Sequence, residues 1–335
     1  MTTIDTNKPS AKDFASDQEV RWCPGCGDYA ILKAVQRTMP SLGVPKERTV
    51  FVSGIGCAAR FPYYMSTYGF HTIHGRAPAF ATGIKLANPD LSVWIVSGDG
   101  DSLSIGGNHL IHLLRRNLDV QLLLFNNEIY GLTKGQYSPT SRRGTVSPST
   151  PKGSVENPMS AAQLALGAGA RFVARAIDTH KGLPDVLRRA HEHRGMSLVE
   201  IFQNCVVFND GVFSHFTERS VAPDTQLWLE HGKPMLFGSA SDKGLRIKPG
   251  ALELEAVTVG ADGITADDVL VHDETNRSLA LLLAQMEPPD LPVAAGVIYC
   301  NPGASYERSM REQMPSAASN DLDTLFTRGQ TWVAA

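Results

Sequence analysis

Five cysteines are spread unevenly along the chain. Cys23 and Cys26 form a C-x-x-C pair in "RWCPGCGDYAIL", at the mouth of what reads as a helix. Cys57 follows one apolar run in "TVFVSGIGCAARF", Cys205 follows another in "MSLVEIFQNCVVF", and Cys300 stands in "GVIYCNPG". A C-x-x-C at a helix N-terminus suits dithiol–disulfide exchange, because its thiol pKa is lowered. The preceding "SDQEVR" is, however, a poor buried strand for that motif. As half of a zinc site the pair should be answered by a second close pair, whereas the other cysteines are single. Cys57 and Cys205 both fall at strand ends, and the C-terminal strand ends of a parallel sheet share one edge, where residues remote in sequence meet. Lengthening the loop between them tenfold adds only about 2 kcal/mol, small beside a metal-site binding energy of about 10 kcal/mol. A pair plus two singles suits an iron–sulfur cluster, whose sulfurs impose less local spacing than a zinc ribbon. Read singly, Cys57 and Cys205 are equally well small buried hydrophobes. Read with the pair they rank the cluster first and zinc second, and Cys300 is left as structural.

The second constellation is "VSGDGDSL" followed by "LFNNEIYG". Asp99 ends one apolar strand and Asn127 the next, with a helix between, so both side chains belong to the crevice at the C-terminal edge of the sheet. A hard cation there would take the Asp99 carboxylate, the Asn127 amide oxygen, a backbone carbonyl and two phosphate oxygens of a ligand. Gly98 and Gly100 let backbone amides approach a diphosphate, and a helix beginning near Ile105 turns its positive end the same way. A lone Asp-Gly is only a turn; its spacing to the Asn pair sets this one apart. "VSGIGCAA" satisfies a dinucleotide fingerprint formally, but the aromatic, Pro-broken "RFPYYMSTYGFH" after it is not the required helix.

These residues need an α/β frame. Ala30, Ile31, Ala34, Val35 and Met39 share one helical face; 49–53, 92–98, 120–126, 171–176 and 196–202 read as strands; 77–87, 108–117, 161–168 and 181–192 read as helices. Strands so uniformly apolar predict a largely parallel sheet with helices on both faces. Residues 1–20 form an N-terminal arm, 21–225 the site-bearing domain, and 226–335 a C-terminal extension rather than a second enzyme domain. The Gly-, Ser-, Thr- and Pro-rich stretch from Ile129 to Pro158 is a long loop expected to cover the site. A net charge of −3 without basic clusters sets nucleic acid aside. The absence of a long apolar run predicts no membrane span, and a cytoplasmic location is expected. An odd, modest cysteine count points to metal or redox use rather than a disulfide framework.

The blocks "WCPGCGDYAIL", "GIGCAARFP", "HGRAPAFATGIKLANP", "SGDGDSLSIGGNHL" and "NNEIYGLTKGQ" together resemble the β subunit of the 2-oxoacid:ferredoxin oxidoreductases, over roughly residues 20–215. The resemblance implies a thiamine diphosphate-binding fold and one [4Fe-4S] cluster on Cys23, Cys26, Cys57 and Cys205. It further implies Mg2+ on Asp99, Asn127 and the Ile129 carbonyl, and a cofactor lined by Ile55, Gly56, Cys57, Ala58, His74, Gly100, Asp101, Gly131 and Leu132. His74 and Arg60 are the expected catalytic-site residues. Arg60 would meet the oxoacid carboxylate or the phosphates of coenzyme A, with a surface role left open, and His74 reads alternatively as a polar group at a helix start.

The implied reaction is the coenzyme A-dependent oxidative decarboxylation of a 2-oxoacid, 2-oxoglutarate or pyruvate, to acyl-CoA and CO2, in either direction. The cofactor carries the carbon chemistry, and a nearby one-electron acceptor selects oxidation over simple decarboxylation. The implied partners are a larger α subunit, in an αβ or (αβ)2 assembly, and ferredoxin. Two rivals stand beside this reading: a non-redox thiamine diphosphate decarboxylase or synthase with structural zinc, and a zinc-stabilised, non-catalytic binding subunit.

Overall fold

The computed structural model describes residues 9–314 together with 326, 327, 329 and 332. Its strands are β1 (Thr49–Ser53), β2 (Tyr68–His71), β3 (Ser92–Gly98), β4 (Gln121–Asn126), β5 (Ile129–Tyr130), β6 (Gln136–Tyr137), β7 (Phe172–Ile177), β8 (Ser197–Phe202), β9 (Gln226–Leu229), β10 (Leu236–Phe237), β11 (Lys243–Ile247), β12 (Leu254–Thr258) and β13 (Val293–Cys300). The α-helices are α1 (Asp28–Thr38), α2 (Ala77–Ala87), α3 (Gly107–Arg116), α4 (Ala161–Gly167), α5 (Leu183–Glu192), α6 (Ser214–Thr217), α7 (Ala222–Thr225), α8 (Arg277–Leu283) and α9 (Tyr306–Gln313).

An eight-stranded sheet in the order β2-β1-β3-β4-β8-β7-β13-β9 forms the centre. It is parallel from β2 to β7. Every residue of β1, β4 and β7 is buried, which is why these segments read as continuous apolar runs rather than alternating ones. Side chains of α2, α3, α4 and α8 pack into one core layer; those of α1, α5 and the 3-10 segment at 58–64 pack into the other. The expected layering is therefore present.

The C-terminal extension differs from expectation. β13 adds to β7 antiparallel, and β9 adds to β13 parallel, so 226–300 supplies two strands of the central sheet rather than an appendage. The run "VAAGVIYC" is apolar enough to be a central strand, but nothing local in it names β7 as its neighbour. Among the described residues β10, β11 and β12 form a separate three-stranded sheet, and β5 and β6 a two-stranded one. Of the N-terminal arm, residues 9–20 are described: Phe14 is buried, and Ser16 N–H donates to the Tyr64 carbonyl. Residues 1–8, and of the extension 315–325, 328, 330, 331 and 333–335, lie outside the described residues. Among the described residues no helix is long and apolar enough to cross a membrane.

Candidate cofactor and metal site

Four consecutive parallel strands, β1, β3, β4 and β8, end on the same edge of the sheet. The loops leaving them carry Cys57, Asp99, Asn127 and Cys205 respectively. Asp99 and Gly100 are already helical, and a π-helical turn over Asp101–Ile105 leads into α3. The helix thus starts at the Gly-Asp-Gly turn itself, several residues earlier than expected, and its first turn lines the cleft through Asp99, Gly100 and Asp101. Gly100 is required here: a Cβ on it would lie 2.1 Å from the Tyr130 ring, whose hydroxyl donates to the Gly100 carbonyl.

Ile55, Gly56, Cys57, Ala58, His74, Gly100, Asp101, Gly131 and Leu132 line one cleft, and Asp99, Asn127 and Ile129 line it with them. Asp99 is 2% exposed. Its Oδ2 accepts hydrogen bonds from Ser138 Oγ at 2.5 Å and Thr140 Oγ1 at 2.6 Å, both on the long loop. That loop therefore braces the site from behind, while its Leu132 and Thr133 face the cleft. Burial pushes the Asp99 carboxyl up to about 6, against the pull of the two hydroxyls. A buried carboxylate beside an amide oxygen, a backbone carbonyl and a helix N-terminus is a hard-oxygen donor set that suits Mg2+ and a diphosphate.

A cation bound in this cleft would compete with a proton for Asp99. Because its pKa in the folded chain is raised, protonation grows as pH falls through about 6, and Mg2+ affinity should then weaken by roughly tenfold per pH unit. Calorimetric Mg2+ titration at two pH values on either side of that pKa, in the presence of thiamine diphosphate, measures this. Equal affinity at the two values would remove Asp99 from the cation's ligands.

Asp101 lines the cleft but is committed to protein donors. Its Oδ1 accepts from Ile55 N–H, Gly75 N–H and His74 Nδ1, and its Oδ2 from Ser97 Oγ. It knots the loops after β1, β2 and β3 together, so its carboxylate is engaged by protein donors at the wall of the cleft. His74 Nδ1 lies 2.5 Å from Asp101 Oδ1; with an ionised carboxylate there the proton belongs on Nδ1, which leaves Nε2 for a ligand in the cleft. Arg60 does not line the cleft. It lies in the 3-10 segment with its Nε donating to Tyr64 Oη at 2.9 Å, and its charge reaches Cys57 only through space.

The four thiols gather on the flank of the same cleft. Cys57 lines it directly, and a Cβ placed on Gly131 would lie 3.5 Å from Cys57 Sγ and 3.6 Å from Cys205 Sγ. Cys26 is under the electrostatic influence of Cys205 and Cys57, and Cys57 under that of Cys205 and Cys23. The C-x-x-C loop is held by Gly27 N–H donating to the Asn204 carbonyl. Burial, then Asp28, raises the thiol pKa of Cys57 to about 12 and that of Cys26 further. A thiolate at Cys26 or Cys57 would be favoured by the positive charge of a bound metal. Among the described residues no group of three or more His, Cys, Asp or Glu side chains is placed to hold a metal ion. Cys300 stands apart, beside His193 at 3.8 Å.

Two residues here escape sequence reasoning. Asp28, the first residue of α1, is 1% exposed, lines the cleft, and leaves Oδ2 without a partner; burial and then Asp178 push it up to about 7. An acid in a first helical turn is so common that it gives no signal of burial. Gln203, also 1% exposed, contacts both halves of the site.

Residues 54–201 match the family model described as the thiamine pyrophosphate enzyme, C-terminal TPP binding domain. The chain is 51% identical over 317 residues to the Mycobacterium tuberculosis 2-oxoglutarate oxidoreductase subunit KorB, covering 93% of this chain and 84% of that one. It is 48% identical over 190 residues to subunit beta of 2-oxoacid:ferredoxin oxidoreductase 1 from Aeropyrum pernix, covering 56% and 60%. It superposes with a TM-score of 0.76, at 32% identity and 96% coverage of both chains, on a solved structure of the Magnetococcus marinus 2-oxoglutarate:ferredoxin oxidoreductase with 2-oxoglutarate, coenzyme A and succinyl-CoA bound.

Proposed function

The chain belongs to the β subunits of the 2-oxoacid:ferredoxin oxidoreductases, and from that premise we propose that it grips the diphosphate end of thiamine diphosphate through Mg2+ and carries one [4Fe-4S] cluster. The enzyme it serves takes 2-oxoglutarate and coenzyme A to succinyl-CoA and CO2, and two electrons leave one at a time for ferredoxin. The observation that carries this reading is the convergence of Cys57, Asp99 and Asn127 from adjacent strand ends on one cleft, with the Cys205 sulfur from the next strand end beside Gly131 of its wall. The names of the Mycobacterium and Magnetococcus relatives support 2-oxoglutarate as the substrate.

When bound, thiamine diphosphate supplies the electron sink for decarboxylation, and the cluster supplies the one-electron outlet. The chain's own residues do the holding. Asp99, Asn127 and the Ile129 carbonyl would hold the cation, the first turn after Gly98 would offer N–H groups to phosphate, and Asp101 fixes the His74 ring, whose Nε2 would remain available to the cofactor. Cys23, Cys26, Cys57 and Cys205 hold the cluster beside them.

A larger α subunit completes the site in a cytoplasmic αβ or (αβ)2 enzyme. One thiamine-binding domain is matched in this chain. The edge strand β2 also exposes Tyr68 (61%) and Phe70 (47%), with Ile73 and Leu132 nearby in the chain's site loops, an unpaired apolar edge that calls for cover. The test is to purify the chain anaerobically alone and with its α partner. The expected result is a brown protein absorbing near ~400 nm and viologen reduction by 2-oxoglutarate with coenzyme A only when both chains are present. Robust turnover by the single chain would overturn the subunit reading.

A further inference from the structure

The geometry points to Gln203 as a positioning residue that ties the cation end of the cleft to the thiolate cluster, aiming the Asn127 oxygen and hydrogen-bonding the Cys26 sulfur. The inference rests on the proposed function for what occupies the two ends; the connection itself is in the chain. Gln203 follows β8, and its backbone N–H donates to the Asn126 carbonyl at 2.8 Å, prolonging the β4–β8 ladder. Its side chain is thereby fixed between the Asn127 turn and the C-x-x-C loop.

The orientation of each amide is set by one group that has no choice. A backbone carbonyl oxygen only accepts, so the Gln203 atom 2.6 Å from the Asn204 carbonyl is the amide nitrogen. The same nitrogen then directs its other N–H at Cys26 Sγ, 3.2 Å away. Gln203 Oε1 is left on the opposite side, 2.7 Å from Asn127, and an oxygen there can only accept, so Asn127 must present Nδ2. Asn127 Oδ1 is consequently turned the other way, where it accepts from Ile129 N–H at 3.2 Å and keeps a lone pair free at the cleft. One buried amide thus decides which atom Asn127 offers to a cation and places an N–H on a cluster sulfur.

Both ends have chemical consequences. Asn127 flipped would offer an NH2 group to a cation, which is repulsive. An N–H donated to a ligating sulfur stabilises the more negative, reduced cluster and so raises its potential.

The experiment uses the αβ holoenzyme with Gln203→Leu and, at nearly the same volume, Gln203→Met, neither of which carries an N–H. Two quantities are read: the cluster potential by an EPR-monitored redox titration, and Mg2+-dependent thiamine diphosphate affinity by calorimetry. With full iron content and an unchanged thermal midpoint, reduction should become about tenfold less favourable, about 59 mV for one electron, and Mg2+ affinity should fall about tenfold. A purely structural residue would leave the potential of a fully loaded cluster alone. An unchanged potential, or loss of the cluster in both variants, overturns the tuning role; undiminished Mg2+ affinity overturns the aiming role. Absence of a cluster signal in the unsubstituted complex would instead overturn the proposed function itself.

Discussion

Replacing Asp99 by alanine is expected to abolish Mg2+-dependent binding of thiamine diphosphate. Asp99 is 2% exposed, directly follows the central strand β3, and is the one carboxylate among the three expected cation ligands. Removing one partner from a buried charge pair typically costs about 3–5 kcal/mol, which is about two to nearly four orders of magnitude in affinity. The substitution also removes the Asp99 acceptor from the Ser138 and Thr140 hydroxyls, which keep Asn126 and Ser141 as neighbours. Asp99→Asn keeps the volume and hydrogen-bonding capacity, so it isolates the lost charge. Calorimetry on the αβ complex reads both variants, and wild-type affinity in either one would show that the Gly-Asp-Gly turn is only a turn.

The second large effect concerns the cysteines. Alanine at Cys23, Cys26, Cys57 or Cys205 should each cost the chain its cluster and the complex its viologen reduction, because a cluster held by four thiolates does not keep its full iron and sulfide on three under aerobic handling. Cys300→Ala should retain both, since the Cys300 thiol sits with His193 and Arg189, away from the other four. Iron and sulfide analysis decides each case. Full iron in Cys205→Ala would return that residue to the core, as its sequence alone allows.

The parts of this site that can be read from sequence are those fixed by the end of a buried parallel strand. The runs ending at Ser53, Gly98, Asn126 and Phe202 are so uniformly apolar that their identity as strands, and the edge on which they end, comes from composition. The residues just beyond them, Cys57, Asp99, Asn127 and Cys205, are legible for the same reason. What escapes depends on which groups meet across the fold. Asp101 looks like another ligand in "GDGD", yet its oxygens are taken by Ile55, His74, Gly75 and Ser97, three of them from other loops. Gln203 is a polar residue in a polar stretch until the β8 register buries it against Asn127 and Cys26. Arg60 is close to Cys57 in sequence, but the 3-10 turn carries it round to Tyr64. β13 is a strand by composition whose neighbour is chosen only by the finished sheet.

Central to the proposed function is the joining, in one chain, of the diphosphate half of a thiamine site to a cluster that takes electrons from it. The most direct measurement is a rapid anaerobic mixing experiment on the αβ complex, with 2-oxoglutarate added with and without coenzyme A and the cluster followed by freeze-quench EPR. A reduced [4Fe-4S] signal is expected to appear with the substrate, to form faster with coenzyme A, and to be lost when Cys57 or Cys205 is alanine. Release of CO2 at an undiminished rate with no cluster ever reduced would contradict that coupling.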